Sequence, residues 1–368
     1  MTPKRVTILG GGPAGLATAF QLTDPKYKGQ FEVTIYQLGW RSGGHCESGR
    51  VAPEYWVNQN GTHYLFGCYN NALYLLNEAY KELDKQGDTS FTTFEDQLIQ
   101  RPMIVLKQMW AGSWTNWAIH FPTNDTPIGT RPTPPSASHL FKLLLHTVID
   151  QIGSEQFRRM TQRHGATRVA TNGLEAALMA VAKQTYLLLN ADSPRGSSVI
   201  GWLCQHLLEA ALIVLRTAVW AMLGPWTLIS LEATRMWILL DLGLTILIGL
   251  LSDGAVGPQM VPVLDDIDFQ AWLAKHGAEK STYTSAPVML WYEALAAYQN
   301  GDTSKPECAA GASLLCLFQM VLDYKQCVSF QLRNEVGDSV VGPVCAALEY
   351  RGVKFEYFHR IWDLVPEG

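Results

Sequence analysis

The chain has 368 residues with a formal net charge of -5, and 48% of them are hydrophobic against 17% charged. That length accommodates two domains with a sizeable core, and an acidic balance without any basic block speaks against nucleic acid as a partner. The charged share falls below the roughly 25% usual for soluble domains, which points to a large interior, a lipid-facing surface or a missing partner.

Read in order, Arg5 to Leu9 predicts a short buried strand, Pro13 to Leu22 a helix of small and apolar residues, and Phe31 to Gln37 a second strand. Together they make a βαβ unit, with no cleavable apolar segment ahead of it. Leu38 to Arg50 is a glycine-rich loop, and Asn70 to Leu83 has the periodicity of an amphipathic helix. Met103 to Trp110 and Trp114 to Phe121 read as a β-hairpin closed by "AGS", and Thr123 to Ser138 as a surface loop rich in Pro and Thr. Helical pattern runs from Leu140 to about Asn190. The most apolar region follows, Val199 to Leu251, interrupted by Glu209, Arg216, Glu232, Arg235 and Asp241 and broken at Gly224-Pro225. Asp268 is placed to cap "FQAWLAKHG", with Gly277 as its stop. Asp338 or Ser339 would start a helix to about Tyr350, and "VKFEYFHRI" reads as a strand. The seven cysteines contain no CxxC pair, and His63 and His120 stand apart from them, so reduced thiols in the cytoplasm and no metal site are expected.

The stretch "ILGGGPAGLATAF" carries the chemistry. Gly10, Gly12 and Gly15 fit G-x-G-x-x-G between a strand and a helix, the context that gives this pattern its meaning. Gly10 serves the tight turn, Gly12 lets a pyrophosphate approach the backbone, and Gly15 lets helix and strand pack closely. Pro13 and Ala14 open the helix, whose N-terminus offers unpaired N–H groups to phosphate. The second strand should end in an acid for the adenosine ribose; Gln37 stands there, able to hydrogen-bond a hydroxyl but without charge. No arginine directly replaces the acid, so a dedicated 2′-phosphate site is not expected.

"RSGG", Arg41 to Gly44, comes soon after. With the glycine turn, it makes the chain resemble the flavin-dependent amine oxidase and phytoene desaturase superfamily, where the acid is followed by an R-x-G-G-R type turn. Gln37 stands at the place of the acid, Arg41, Gly43 and Gly44 match, and His45 replaces the final basic residue. Within that superfamily the chain is most similar to a bacterial group of phytoene-dehydrogenase-like FAD-dependent oxidoreductases. The likeness extends through "GTHYLFGCYNNA", "FPTND", "DFQAWLAKHGA" and "RGVKFEYFHRI". The resemblance implies FAD as cofactor, held by Gly10, Gly12, Pro13, Ala14, Gly15, Gln37, Arg41, Gly43 and Gly44, with His63 near the flavin ring or the substrate. It singles out no catalytic base or nucleophile; in such flavoenzymes the cofactor carries the hydride chemistry.

The resemblance also implies the architecture: an α/β, Rossmann-like FAD-binding domain from residues 1–95 and 335–368, and an inserted, largely helical substrate domain, 96–334, containing the β-hairpin. Val199 to Leu251 is then a buried helical pair, a surface that dips into lipid, or a span. Its charges argue against spanning, at about 2.5–3.5 kcal/mol each at a bilayer centre. The expected activity is hydride removal from, or desaturation of, an apolar small-molecule substrate, in the cytoplasm with peripheral contact at a membrane. The alternative is a non-catalytic flavin-fold chain that binds an apolar ligand or partner. In the superfamily, the strand matching "VKFEYFHRI" is followed by a long remainder with a second flavin motif. A truncated or split protein that needs a complementing C-terminal chain is therefore a further expectation.

Overall fold

A computed structural model describes residues 2–59, 61, 63–131, 136–163, 174, 176–181, 184, 199–256, 259–296 and 298–365. The chain divides into two compact units: Met1–Met103 with His120–Thr133 and Tyr324–Gly368, and Ile104–Ile119 with Pro134–Asp323. The division thus lies at 103/104 and 323/324 rather than at 95/96 and 334/335, and residues 120–133 belong to the first unit. Hydrogen bonds explain the difference. The Asn124 side chain donates to Tyr324 O (3.1 Å) and accepts from Gln326 N (2.9 Å), while Asn77 Nδ2 donates to Gly129 O (3.0 Å).

The first unit is built on β1 (Lys4–Leu9), α1 (Pro13–Leu22) and β2 (Phe31–Tyr36). β1 and β2 pair in parallel with Val6 opposite Val33 and Ile8 opposite Ile35. Alternation sets their faces: Ile8, Val33 and Ile35 are buried with Leu16, Ala19 and Phe20 of α1, whereas Arg5, Thr7 and Leu9 are exposed. Next come β3 (Ser48–Val51) and β4 (Trp56–Gln59), an antiparallel pair, then β5 (Tyr64–Phe66) and α2 (Asn70–Gln86). α2 buries Leu73, Leu76, Ala79, Tyr80 and Leu83 at helical spacing and ends on Gly87. β6 (Leu98–Arg101) follows.

After the second unit, the chain returns with β9 (Ser329–Leu332), which pairs antiparallel with both β5 and β6. The last helix spans Gly342–Tyr350. It starts later than Asp338 or Ser339 because a π-turn, Gly337–Val341, precedes it; Ser339 O there accepts from the buried Tyr80 hydroxyl (2.9 Å). The last strand, β10 (Lys354–Glu356), adds to β2 in parallel, so the sheet order is β1-β2-β10. β10 is three residues long, shorter than the expected nine. Beyond it Phe358 adopts φ 62° and its N–H turns back to Gly39 O (3.3 Å).

In the second unit, β7 (Met103–Trp110) and β8 (Ser113–His120) form the hairpin, with Ala111 and Gly112 both at positive φ in its turn. Leu106 and Trp117 pack with Ile238, and the Arg235 guanidinium donates to Asn116 O (2.8 Å). α3 (Ala137–Gly153) and α4 (Glu155–Arg163) follow. Within the helical expectation from 164 to 190, residues 174, 176–181 and 184 are described and are helical; the others lie outside the described residues. Two long apolar helices, Val199–Leu223 and Leu231–Ser252, are separated by a 3-10 turn at Gly224–Trp226, where the Gly-Pro pair stops the first. Asp241, in the middle of the second, has no solvent exposure. It is satisfied by Arg216 Nε (2.5 Å) and Glu279 N (3.0 Å). Asp268 caps the Phe269–Lys275 helix through Ala271 N (3.0 Å), and Gly277 follows its end.

Candidate functional site

The site forms where β1 hands over to α1. Gly10 continues the β1–β2 ladder by donating to Tyr36 O (2.8 Å), then turns with φ 103°, a conformation that L side chains avoid. Gly12 is the N-cap of α1 at φ -75°, ψ 176°, and a Cβ built on it would meet no atom within 4 Å. Pro13 occupies the first helical turn. That turn has neither a side-chain cap nor an acidic residue, which leaves the positive end of the helix free for an anion. Gly15 has the opposite surroundings: its Cβ would lie 2.1 Å from Gly10 O. Only glycine permits the helix to start so close to the strand.

The second glycine pair clasps the first. Gly43 N donates to Gly11 O (2.8 Å), and a Cβ on Gly44 would come within 3.3 Å of Gly12 Cα. Gly43, at φ 123°, makes the bend that allows this. Gln37 leaves β2 between the two turns. Its Oε1 accepts from Gly11 N at 2.7 Å, and its own N–H donates to Glu356 O of β10 (2.8 Å). The structure thus brings together Gly10, Gly12, Pro13, Ala14, Gly15, Gln37, Gly43 and Gly44.

The two remaining expected residues have partners elsewhere. Arg41 lays its guanidinium against Glu47 (3.0 and 2.9 Å), donates to Ser48 O and stacks on Trp40 at 4.7 Å. The hydrogen bond from Arg41 holds the Glu47 carboxyl below its ordinary pKa, and Glu47 in turn raises that of Arg41. Gly49 leaves room for this, since a Cβ there would be 2.9 Å from Arg41 Nη1. His63 sits beyond the β3–β4 hairpin, with Nδ1 3.2 Å from Gln59 Oε1; its neighbour Thr62 lies outside the described residues.

Three further residues belong to the site. Gly11 supplies the N–H that holds Gln37. Ser42, buried, places its hydroxyl 3.5 Å from that of Tyr357, just past β10. Gly11 and Ser42 lie inside the two motifs and were open to reading from the sequence; nothing local marks Tyr357. The nearby Cys345 thiol is pushed up to about 11 by burial, opposed by a hydrogen bond from Ser42, so it is protonated at neutral pH and unsuited to act as a nucleophile. On the flank of α1, Pro13, Ala14 and Leu16 line a cavity of about 810 Å³ with Leu75, Val341 and Val344, and with Arg131 among its polar residues.

A parallel sheet, a tight glycine turn and an open helix N-terminus define a dinucleotide-binding domain. The comparison with known families agrees: the family described as an NAD(P)-binding Rossmann-like domain matches residues 8–79. That segment therefore has a Rossmann-like dinucleotide-binding fold, in a chain of mixed α/β content. No curated protein matches the chain.

Proposed function

We propose that the chain is an FAD-dependent oxidoreductase that removes hydride from, or desaturates, an apolar substrate. The observation that carries this reading is the space over Gly12 at the uncapped N-terminus of α1. The Arg41–Gly44 turn packed on it supports a flavin dinucleotide, through its resemblance to the flavin superfamily. The bound flavin would supply the hydride acceptor. The chain's own residues would hold it: the Gly12 backbone and the first turn of α1 at the pyrophosphate, Gln37 at the ribose. The apolar wall of the cavity beside Pro13 and Ala14 suits an apolar ligand.

Gly12→Val tests the reading. Its φ and ψ are extended and suit valine, and a Cβ there meets no protein atom within 4 Å, so the thermal unfolding temperature should stay close to wild type. FAD affinity, read by flavin fluorescence, should fall at least about tenfold because the side chain takes the pyrophosphate's place. Wild-type affinity in the folded variant overturns the reading.

One observation favours a second reading. Among the described residues β1 and β10 each pair only with β2, leaving both edges of the parallel sheet without a further strand. On that reading the chain is a non-catalytic flavin-fold partner, one of whose open edges takes a strand of a complementing chain. Co-expression with candidate partner chains, followed by size-exclusion chromatography and flavin absorbance, separates the two. A yellow chain that turns over substrate alone supports the first, and flavin binding only in a heteromer supports the second.

A further inference from the structure

The ribose end of the site has an unusual polarity. Gly11 N–H can only donate, so the limb of the Gln37 amide that meets it at 2.7 Å is the oxygen. That fixes the NH2 group on the other limb, where no acceptor among the described residues engages it. Ser42 and Tyr357 add two hydroxyls to the same place: a Cβ on Gly11 would lie 2.7 Å from Ser42 Oγ and 3.3 Å from Gln37 Oε1, and Tyr357 Oη is 3.5 Å from Ser42 Oγ. In the loop that follows Gln37, Arg41 and Glu47 are paired with each other.

A carboxylate at this position accepts from the ribose 2′-hydroxyl and repels a 2′-phosphate. An amide held by its oxygen keeps one lone pair for the 2′-hydroxyl and presents two N–H donors, but it carries no charge to repel a 2′-phosphate. We infer that Gln37 makes the ribose end of the site a neutral donor, so that the chain binds adenine dinucleotides with a 2′-hydroxyl or a 2′-phosphate without strong preference. The inference rests on the dinucleotide reading above and adds to it the residue that sets specificity.

The test is calorimetric titration of the full chain with two probes, ADP and adenosine 2′-phosphate-5′-diphosphate. Wild-type dissociation constants should agree within about fivefold. Gln37→Glu keeps an acceptor for Gly11 N–H and adds a charged one for the ribose 2′-hydroxyl, so it should unfold at the wild-type temperature and bind ADP at least as tightly as wild type. It should weaken the 2′-phosphate probe about tenfold or more, through like-charge repulsion. A wild-type chain that already rejects the 2′-phosphate probe by about tenfold overturns the inference while leaving the dinucleotide reading intact, as does a Gln37→Glu variant with an unchanged ratio. Failure of both probes to bind the wild-type chain overturns the dinucleotide reading and this inference with it.

Discussion

The helices Val199–Leu223 and Leu231–Ser252 have nearly the same composition and different surroundings. Each is long and apolar enough to cross a membrane by length and composition, with equal mean hydropathy, yet 83% of the second's apolar stretch is buried against 33% of the first's. Leu244, Leu247 and Leu250 are enclosed by the second unit, while Leu207, Ile213 and Val214 of the other helix remain exposed. Asp241 looks like an interruption in the sequence, but it is the most enclosed charge described, joined to Arg216 of the first helix. A charge in an apolar run therefore reports either solvent or a buried partner, and composition does not tell which.

Substitutions can break this contrast. The largest effect is expected from Asp241→Ala, which leaves Arg216 unpaired. It should cost about 3–5 kcal/mol in denaturant unfolding of the second unit, and Asp241→Leu combined with Arg216→Met should recover most of it. Leu247→Ala comes next, at about 2–5 kcal/mol, because its cavity is enclosed on all sides.

A pH effect sharpens the picture at the end of the second helix. Asp253 follows its last residue and accepts from Trp272 Nε1 (2.8 Å), Lys275 Nζ (2.8 Å) and His276 Nε2 (2.9 Å). Burial pushes its pKa up, but the hydrogen bonds from Lys275, Trp272 and His276 outweigh that and hold it below the ordinary value. A depressed carboxylate pKa contributes stability that is full above the unfolded-state value, about 3.9, and is lost as pH falls through the folded one. Stability measured from pH 6 downward should fall below about pH 4, and Asp253→Asn should flatten that limb.

The smallest effect is expected at Val214→Ala on the exposed face of the first helix, within about 0.5 kcal/mol of wild type. A cost equal to that of Leu247→Ala would show that this face is covered in solution and would erase the contrast.

Local signals were legible in the sequence. The β1–α1–β2 unit, the capping of the Phe269–Lys275 helix by Asp268 and the β7–β8 hairpin each depend on residues within one turn or one strand of each other. The sheet of β5, β9 and β6 was not legible, because its strands are three or four residues long and the pairing of Leu98–Arg101 with Ser329–Leu332 is set by the chain's return, not by local pattern. The candidate site divides in the same way. The glycines declared themselves through spacing. The acceptance of Gly11 N–H by Gln37 and the engagement of Arg41 by Glu47 depend on how two loops fold over each other, which spacing does not encode.

The place of β10 has a consequence in time. β2 is bordered by β1, made just before it, and by β10, made more than three hundred residues later. At ribosomal rates of about 5–20 residues per second, that is roughly 15–60 s during which the outer edge of β2 stands without its strand. A shorter delay applies to β5 and β6, which wait for β9. The second unit, whose long helices are neighbours in sequence, can assemble within that interval. Synthesis therefore favours an order in which the helical unit is finished first and the nucleotide sheet is closed last. Until then, the glycine turn is carried by two strands alone, and chaperones that shield unpaired strand edges have their window on this chain.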